Sequence, residues 1–177
     1  RHPRVGMVFC DYRNFDKDGL HPRSHFQTCP RLWLRLSDRR ELILENACAL
    51  LAEENFGIAG TLMIRRNIQQ LGAGFESTLR VCEDYYMYYM LARHSQVGVI
   101  NEVGMLRRLH ENNTSSNMVK MLSDGVKSRS LLRDTEKDPN TRAQLDRYIA
   151  NCYGSLARCY ADRGQYKRSL RNDWQGL

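Results

Sequence analysis

The hydrophobic repeat of this chain changes period once, and no other feature constrains the fold as much. Up to His110, short apolar runs of strand type alternate with segments of helical spacing; beyond it every apolar series is helical. Val5 to Cys10 reads as a buried strand, and Asp16-Lys17-Asp18-Gly19 as a tight reversal, because Asp-Gly supplies the backbone dihedrals such a turn needs. Residues 1–117 are therefore expected to form an α/β unit with a few mixed strands, and residues 118–177 a helical hairpin extension.

Within the first part, His21 to Leu36 reads as loop, since Pro22 and Pro30 argue against a regular element. Asp38-x-x-Glu41 has the form of a capping box, and Leu44, Ala47, Cys48 and Leu51 then repeat at helical spacing until Asn55-Phe56-Gly57, which predicts an amphipathic helix. Gly60 to Ile64 is a short strand candidate ending in Arg65-Arg66, followed by a helical turn from Asn67 to Leu71. Val97 to Ile100 and Val103 to Leu109 predict two more strands. In the second part, Met118, Met121, Leu122, Val126 and Leu131 outline one helix, Pro139 breaks the chain, and Leu145 to Tyr160 outlines another; a third begins at Gln165. Leu156, Ala157, Tyr160, Gly164, Tyr166 and Ser169 resemble half of a tetratricopeptide hairpin, but Asp173 stands where an aromatic belongs, so an ordinary helical hairpin is the better account.

With 177 residues, 42% hydrophobic and 27% charged, the chain has the composition of a folded domain with a core, not of a disordered or membrane-embedded one. No apolar run is long enough to cross a bilayer, and Arg1-His2-Pro3-Arg4 leads into strand-like sequence without a signal segment, so a cytoplasmic location is expected. The six cysteines contain no C-x-x-C pair, which argues against a zinc site or a disulfide framework. Residues 1–117 hold 15 Lys and Arg against 13 Asp and Glu, and residues 118–177 hold 12 against 7, which places most of the net charge of +7 in the last third. Scattered as they are, these charges suit a solvated helical face; contact with the inner face of a membrane is the partner reading they leave open. Nucleic acid is not expected, because aromatic and basic residues are not interleaved there.

The chemistry-bearing feature is Glu83-Asp84. The two acids lie between the glycine-rich turn Leu71-Gly72-Ala73-Gly74-Phe75-Glu76 and the nearly all-apolar, helix-like run Tyr85 to Arg93. A carboxylate at a helix N-terminus faces unpaired N–H groups and the positive end of the helix dipole, and a like-charged neighbour acts on its pKa, so one of the pair can serve as a base. The simpler alternative is an acidic first turn that only caps the helix.

Taken together in order, Leu50 to Phe56, Gly60-Thr61-Leu62-Met63-Ile64-Arg65-Arg66, Gly72 to Glu76, Glu83-Asp84 and Arg108-Leu109-His110-Glu111-Asn112-Asn113 resemble the C-terminal half of an inverting family 2 glycosyltransferase of the GT-A fold. Asp11-Tyr12-Arg13 and the turn at Asp16 to Gly19 resemble the strand and hairpin that follow that family's metal-binding motif. The resemblance implies a nucleotide-sugar donor and a saccharide or lipid-linked acceptor, with Asp84 as general base and Glu83 orienting the acceptor or tuning the base. It puts Thr61, Gly74 and Phe75 on the acceptor side, Arg108 and His110 near the diphosphate, and His110 in the shell of a divalent Mn2+ or Mg2+ ion. Asn113 and Thr114 are read as caps of the next helix. Asp16-x-Asp18 imitates the family's metal motif but suits the hairpin better. The nucleotide-binding half is expected upstream of Arg1, so residues 1–177 alone are expected to be inactive, with an opening strand short of a neighbour and a homodimer through that edge. The competing function is a non-catalytic helical interaction module. The enzymatic reading requires that Glu83 and Asp84 face a cleft and are not locked into ion pairs with arginines.

Overall fold

The computed structural model describes residues 2–36, 38–69, 74–111, 113 and 116–176. Its centre is a mixed sheet of β1 (Val5–Asp16), β2 (Gly19–Ser24), β3 (Glu41–Leu44), β4 (Leu62–Ile64) and β5 (Gln96–Arg108). The strands run in the order β2-β1-β5-β3, with β4 also pairing β1. β1 and β5 are parallel, from Val5 opposite Gln96 to Phe15 opposite Arg108, while β3 lies antiparallel on β5, and β4 and β2 lie antiparallel on β1. The opening strand is thus paired along both sides and is not the exposed edge expected from the sequence. The sheet's edges fall at β3 and at the short β2 and β4.

Around the sheet lie α1 (Pro30–Leu36), α2 (Ala47–Glu53), α3 (Arg66–Gln69), α4 (Glu83–Ala92), α5 (Met118–Thr135), α6 (Pro139–Ala161) and α7 (Tyr166–Gln175). The alternation of strands and helices followed by helices alone matches the pattern of apolar residues, and the described residues form a mixed α/β fold. Several local expectations fail for physical reasons. His21 to Leu36 is not loop but the end of β2, a 3-10 turn and α1. Pro22 sits in β2, which pairs only with β1, where a missing N–H costs no ladder bond. Pro30 begins α1, where its fixed φ suits a first helical residue. Asp38 and Glu41 form no capping box, because Glu41–Leu44 is drawn into β3 against β5. Helix α2 begins later, capped by Asn46, whose side chain accepts from the Ala49 N–H at 3.4 Å. The two strands expected around Val97 and Val103 are one, since β5 continues past Asn101 and Glu102 through register shifts opposite Cys10 and Asp11.

The hairpin between β1 and β2 turns on Asp16. Its carboxylate accepts from the Asp18 N–H at 2.9 Å and meets His21 Nε2 at 2.8 Å, while Gly19 adopts φ 114°, as the reversal requires.

The core places α4 at the middle of the molecule. Met7 and Phe9 of β1, Val97 and Val99 of β5, Leu50 and Leu51 of α2, Phe56, and Tyr85, Tyr88, Tyr89 and Leu91 of α4 share one buried cluster. Leu132 of α5 and Leu145 of α6 belong to the same cluster, so the C-terminal helices pack directly on the α/β part. A helix apolar on every side must be enclosed, and enclosing three tyrosines demands three hydroxyl partners. Tyr85 donates to the Leu51 carbonyl at 2.8 Å, Tyr88 to Asp84 Oδ2 at 3.0 Å and Tyr89 to Glu136 Oε2 at 2.5 Å. Arg129 of α5, 2% exposed, lies between the rings of Tyr85 at 3.8 Å and Tyr148 at 3.5 Å, joining α4, α5 and α6 by cation–π contacts. No helix among the described residues is long and apolar enough to cross a membrane.

Glu136 ties α4 to the turn after α5. Besides Tyr89, Arg93 Nη2 lies 3.4 Å away, and the N–H groups of Lys137 and Asp138 donate at 2.9 and 3.1 Å. Burial opposes its charge, but the Tyr89 hydrogen bond, the Asp138 N–H and the Arg93 charge outweigh it and hold the carboxyl below its ordinary value. A depressed folded pKa stabilises the protein above the unfolded pKa of about 4.3 and loses that contribution as pH falls through the folded value. Glu136→Gln is therefore expected to cost about 2 kcal/mol at pH 7. In urea unfolding followed across pH, the difference from wild type should shrink below about pH 4.

Candidate functional site

A cleft of about 500 Å3 opens toward the C-terminal ends of the parallel pair β1 and β5. That is where open α/β sheets ordinarily bind ligands, because the loops that follow the strands and the N-termini of nearby helices converge there. Glu83 and Asp84 line it from the first turn of α4. The lining also holds Arg107 and Arg108 at the end of β5, Arg80 from the loop before α4, Tyr12 of β1, His25 and Asn55.

Each acid has a distinct environment. Asp84 Oδ1 accepts from the Tyr85 N–H at 2.7 Å, and Oδ2 accepts from the Tyr88 hydroxyl at 3.0 Å. Tyr88 is fully buried, edge-on to Phe9 at 5.0 Å between centroids, so its hydroxyl is held in one place. Burial, followed by the charge of Asp84, raises its pKa, which keeps the hydroxyl a proton donor to the carboxylate. Glu83 Oε2 is buried and has no hydrogen-bond partner among the described residues. A buried carboxylate oxygen without a partner is costly and points to a group supplied from outside. No ion pair within 4.0 Å joins either acid to an arginine among the described residues.

The loop that presents these acids is fixed from α5. Asp124 Oδ2 accepts from the N–H groups of Arg80 at 2.9 Å and Val81 at 2.8 Å. Cys82, which precedes Glu83, has φ 67° and ψ 13°, a left-handed conformation that costs a residue with a Cβ about 1 kcal/mol or more. That bend turns the chain into α4 with the acids toward the cleft.

Another part of the lining is an aromatic and cationic cluster. The His25 ring stacks on Tyr12 at 4.5 Å and 22°, and the His25 N–H donates to the Tyr12 carbonyl at 2.8 Å. His25 Nε2 lies 3.2 Å from the Asn55 carbonyl, which only accepts, so Nε2 carries the proton. Burial lowers the His25 pKa, and the ring is neutral at pH 7. Burial also raises the pKa of Tyr12, partly offset by the charge of the nearby Arg107. Beneath them, Asp11, 2% exposed, accepts from the Tyr12 and Phe26 N–H groups at 2.7 and 3.0 Å and clamps the segment carrying His25 onto β1. Gly57 lines the floor because a Cβ there would stand 2.7 Å from the Phe9 ring and 3.1 Å from the Tyr88 ring.

Of the residues singled out from sequence, Glu83, Asp84 and Arg108 meet in this cleft. His110 does not line it and is exposed, its carbonyl accepting from the Asn113 N–H at 3.1 Å. Asn113 does line the cleft, and its side chain donates to the Arg108 carbonyl at 3.3 Å. Thr61 is 8% exposed, with its hydroxyl donating to the Ile58 carbonyl at 3.2 Å, and Gly74 and Phe75 are exposed; none of the three lines the cleft. Leu71, Gly72 and Ala73 of the glycine-rich turn lie outside the described residues, as do Asn112 and Thr114. Sequence reasoning missed Tyr12, His25, Arg80, Arg107, Tyr88 and Asp124. Only Tyr88 left a clear signal, the i, i+4 spacing from Asp84 that puts both on one helix face.

Among the described residues no group of three His, Cys, Asp or Glu side chains is placed to hold a metal ion, and Asp16 is engaged in its hairpin. Comparison of the chain with protein-family models, with curated proteins and with solved structures finds no match.

The hold of Asp124 on the loop is testable by substitution. Asp124→Ala should cost about 1–2 kcal/mol. Native-state hydrogen exchange should show faster exchange at the Arg80 and Val81 amides, ahead of any loss of protection in β1 and β5.

Proposed function

We propose that this chain is the acceptor-side part of an inverting glycosyltransferase of the GT-A type, moving a sugar from a nucleotide-sugar donor to a saccharide or lipid-linked acceptor, with Asp84 as general base. The observation that carries the reading is the cleft itself, whose lining brings Glu83 and Asp84, in no ion pair among the described residues, together with Arg80, Arg107 and Arg108. Glycosyl transfer needs both signs of charge. A base must stand where the acceptor hydroxyl enters, and cations must stand where the diphosphate departs.

In the step proposed, the acceptor oxygen attacks the anomeric carbon while its proton passes to the Asp84 carboxylate. The bond from that carbon to the diphosphate oxygen breaks, and the electron pair leaves with the diphosphate. Attack from the side opposite the leaving group inverts the anomeric configuration. Tyr88 holds Asp84 Oδ2 and leaves the remaining lone pairs of the carboxylate to meet the acceptor. Glu83 beside it orients the acceptor or tunes the base. Arg107 and Arg108 face the departing negative charge. Among the described residues no group of side chains is placed to hold a divalent cation, and His110 stands apart from the cleft.

A non-catalytic interaction module is the second reading, favoured by the exposed apolar stripe of α7. It leaves unexplained why two acids not held in ion pairs should face a cleft. Asp84→Asn removes the proton acceptor and leaves the side-chain volume unchanged. In nucleotide-sugar transfer assays with manganese on the full-length protein, it should lower the rate about a hundred- to ten-thousand-fold. Tyr88→Phe, which loosens the base, should fall between that variant and wild type. An unchanged rate in Asp84→Asn would remove the assignment.

A further inference from the structure

Helix α7 is built inside out. Its polar residues Ser169 and Asn172 are part-buried, and Gly176, just past its end, packs so close to α6 that a Cβ would stand 3.1 Å from the Ala150 carbonyl. The large apolar residues Tyr166, Leu170 and Trp174 recur at i, i+4 and i+8 on an outward stripe, with exposures of 68%, 65% and 80%. Lys167 and Arg171, each one position further on, form a parallel basic stripe, extended by Arg163 and Arg168, against the single acid Asp173. The stripe, flanked by cations, calls for a negatively charged surface, which a second copy with its 12 Lys and Arg against 7 Asp and Glu over residues 118–177 does not present. It has the form of an interfacial helix, in which aromatic and leucine side chains enter the headgroup boundary and adjacent cations meet anionic lipid.

We propose that the outer face of α7 docks on an anionic membrane surface, with Tyr166, Leu170 and Trp174 inserted at the headgroup boundary and Lys167 and Arg171 paired with lipid phosphates. The site does not depend on the transferase reading, and Asp84→Asn should leave it intact.

The test is cosedimentation of the whole chain with vesicles of phosphatidylcholine mixed with phosphatidylglycerol, and with vesicles of phosphatidylcholine alone. Binding is expected to the mixed vesicles only, to weaken with salt, and to be accompanied by a blue shift of tryptophan emission. Lys167→Ser with Arg171→Ser should weaken it about 25-fold, at about fivefold per charge near the surface. Leu170→Gln with Trp174→Gln should weaken it at least about tenfold. Both pairs alter exposed side chains, so unchanged thermal unfolding by circular dichroism separates lost docking from lost folding. The proposal is overturned if the mixed vesicles bind no protein at low salt, or if either double variant binds as wild type does. It is equally overturned if the chain without vesicles forms a dimer that Leu170→Gln with Trp174→Gln abolishes, since a second copy would then own the face.

Discussion

The enclosure of α4 is the constraint on which the other elements depend. A helix that carries tyrosine, methionine and leucine on every side cannot lie on a surface, and its tyrosine hydroxyls cannot be buried without acceptors. Those acceptors come from three places: α2 through the Leu51 carbonyl, the turn after α5 through Glu136, and the helix's own first turn through Asp84. The first two hydrogen bonds each fix a neighbour, and Arg129, between Tyr85 and Tyr148, ties in α5 and α6. With the body of α4 held in this way, its N-terminus has one exit, the rim where β1 and β5 end.

Glu83 and Asp84 therefore owe their position to burial several residues further along. The C-terminal helices take part as well, since Asp124 of α5 holds the preceding loop and Met121 lines the cleft. Division of the chain near residue 117 describes the change of hydrophobic period well, but the packing runs across it, with Leu132 and Leu145 in the same core as Phe9 and Val99. The cleft's electrostatics follow from the same arrangement. Two acids at a helix N-terminus are stabilised by the helix dipole, so they can share a cleft with arginines without an ion pair to them among the described residues.

The parts of the fold legible in sequence were those where one signal acted alone. Val5 to Cys10, the Asp-Gly hairpin, α4 and the three C-terminal helices each carried an unopposed period or turn residue. Where signals competed, the stronger tertiary term won. Glu41 to Leu44 fitted a helix start, yet β5 offered a free edge for antiparallel pairing. Pro22 and Pro30 were read as breakers, though one occupies an edge strand and the other a helix's first position, the two settings that tolerate a missing N–H. A smaller part of the cleft was likewise legible. Glu83, Asp84 and Arg108 stood out by residue type and spacing, whereas the stacked Tyr12 and His25 come from segments with no shared local pattern.

What the sequence determined by itself was the elements marked by a single signal and the chemical character of their faces, because hydrophobic period, turn residues and helix-end acids act over a few neighbouring positions. Which acids meet which arginines was decided only by the tertiary structure. That meeting depends on the parallel pairing of β1 with β5 and on the insertion of α4 between the sheet and α5. These contacts join residues far apart in the chain, and they are selected by the shared need to bury Tyr85, Tyr88 and Tyr89 with their hydroxyls satisfied.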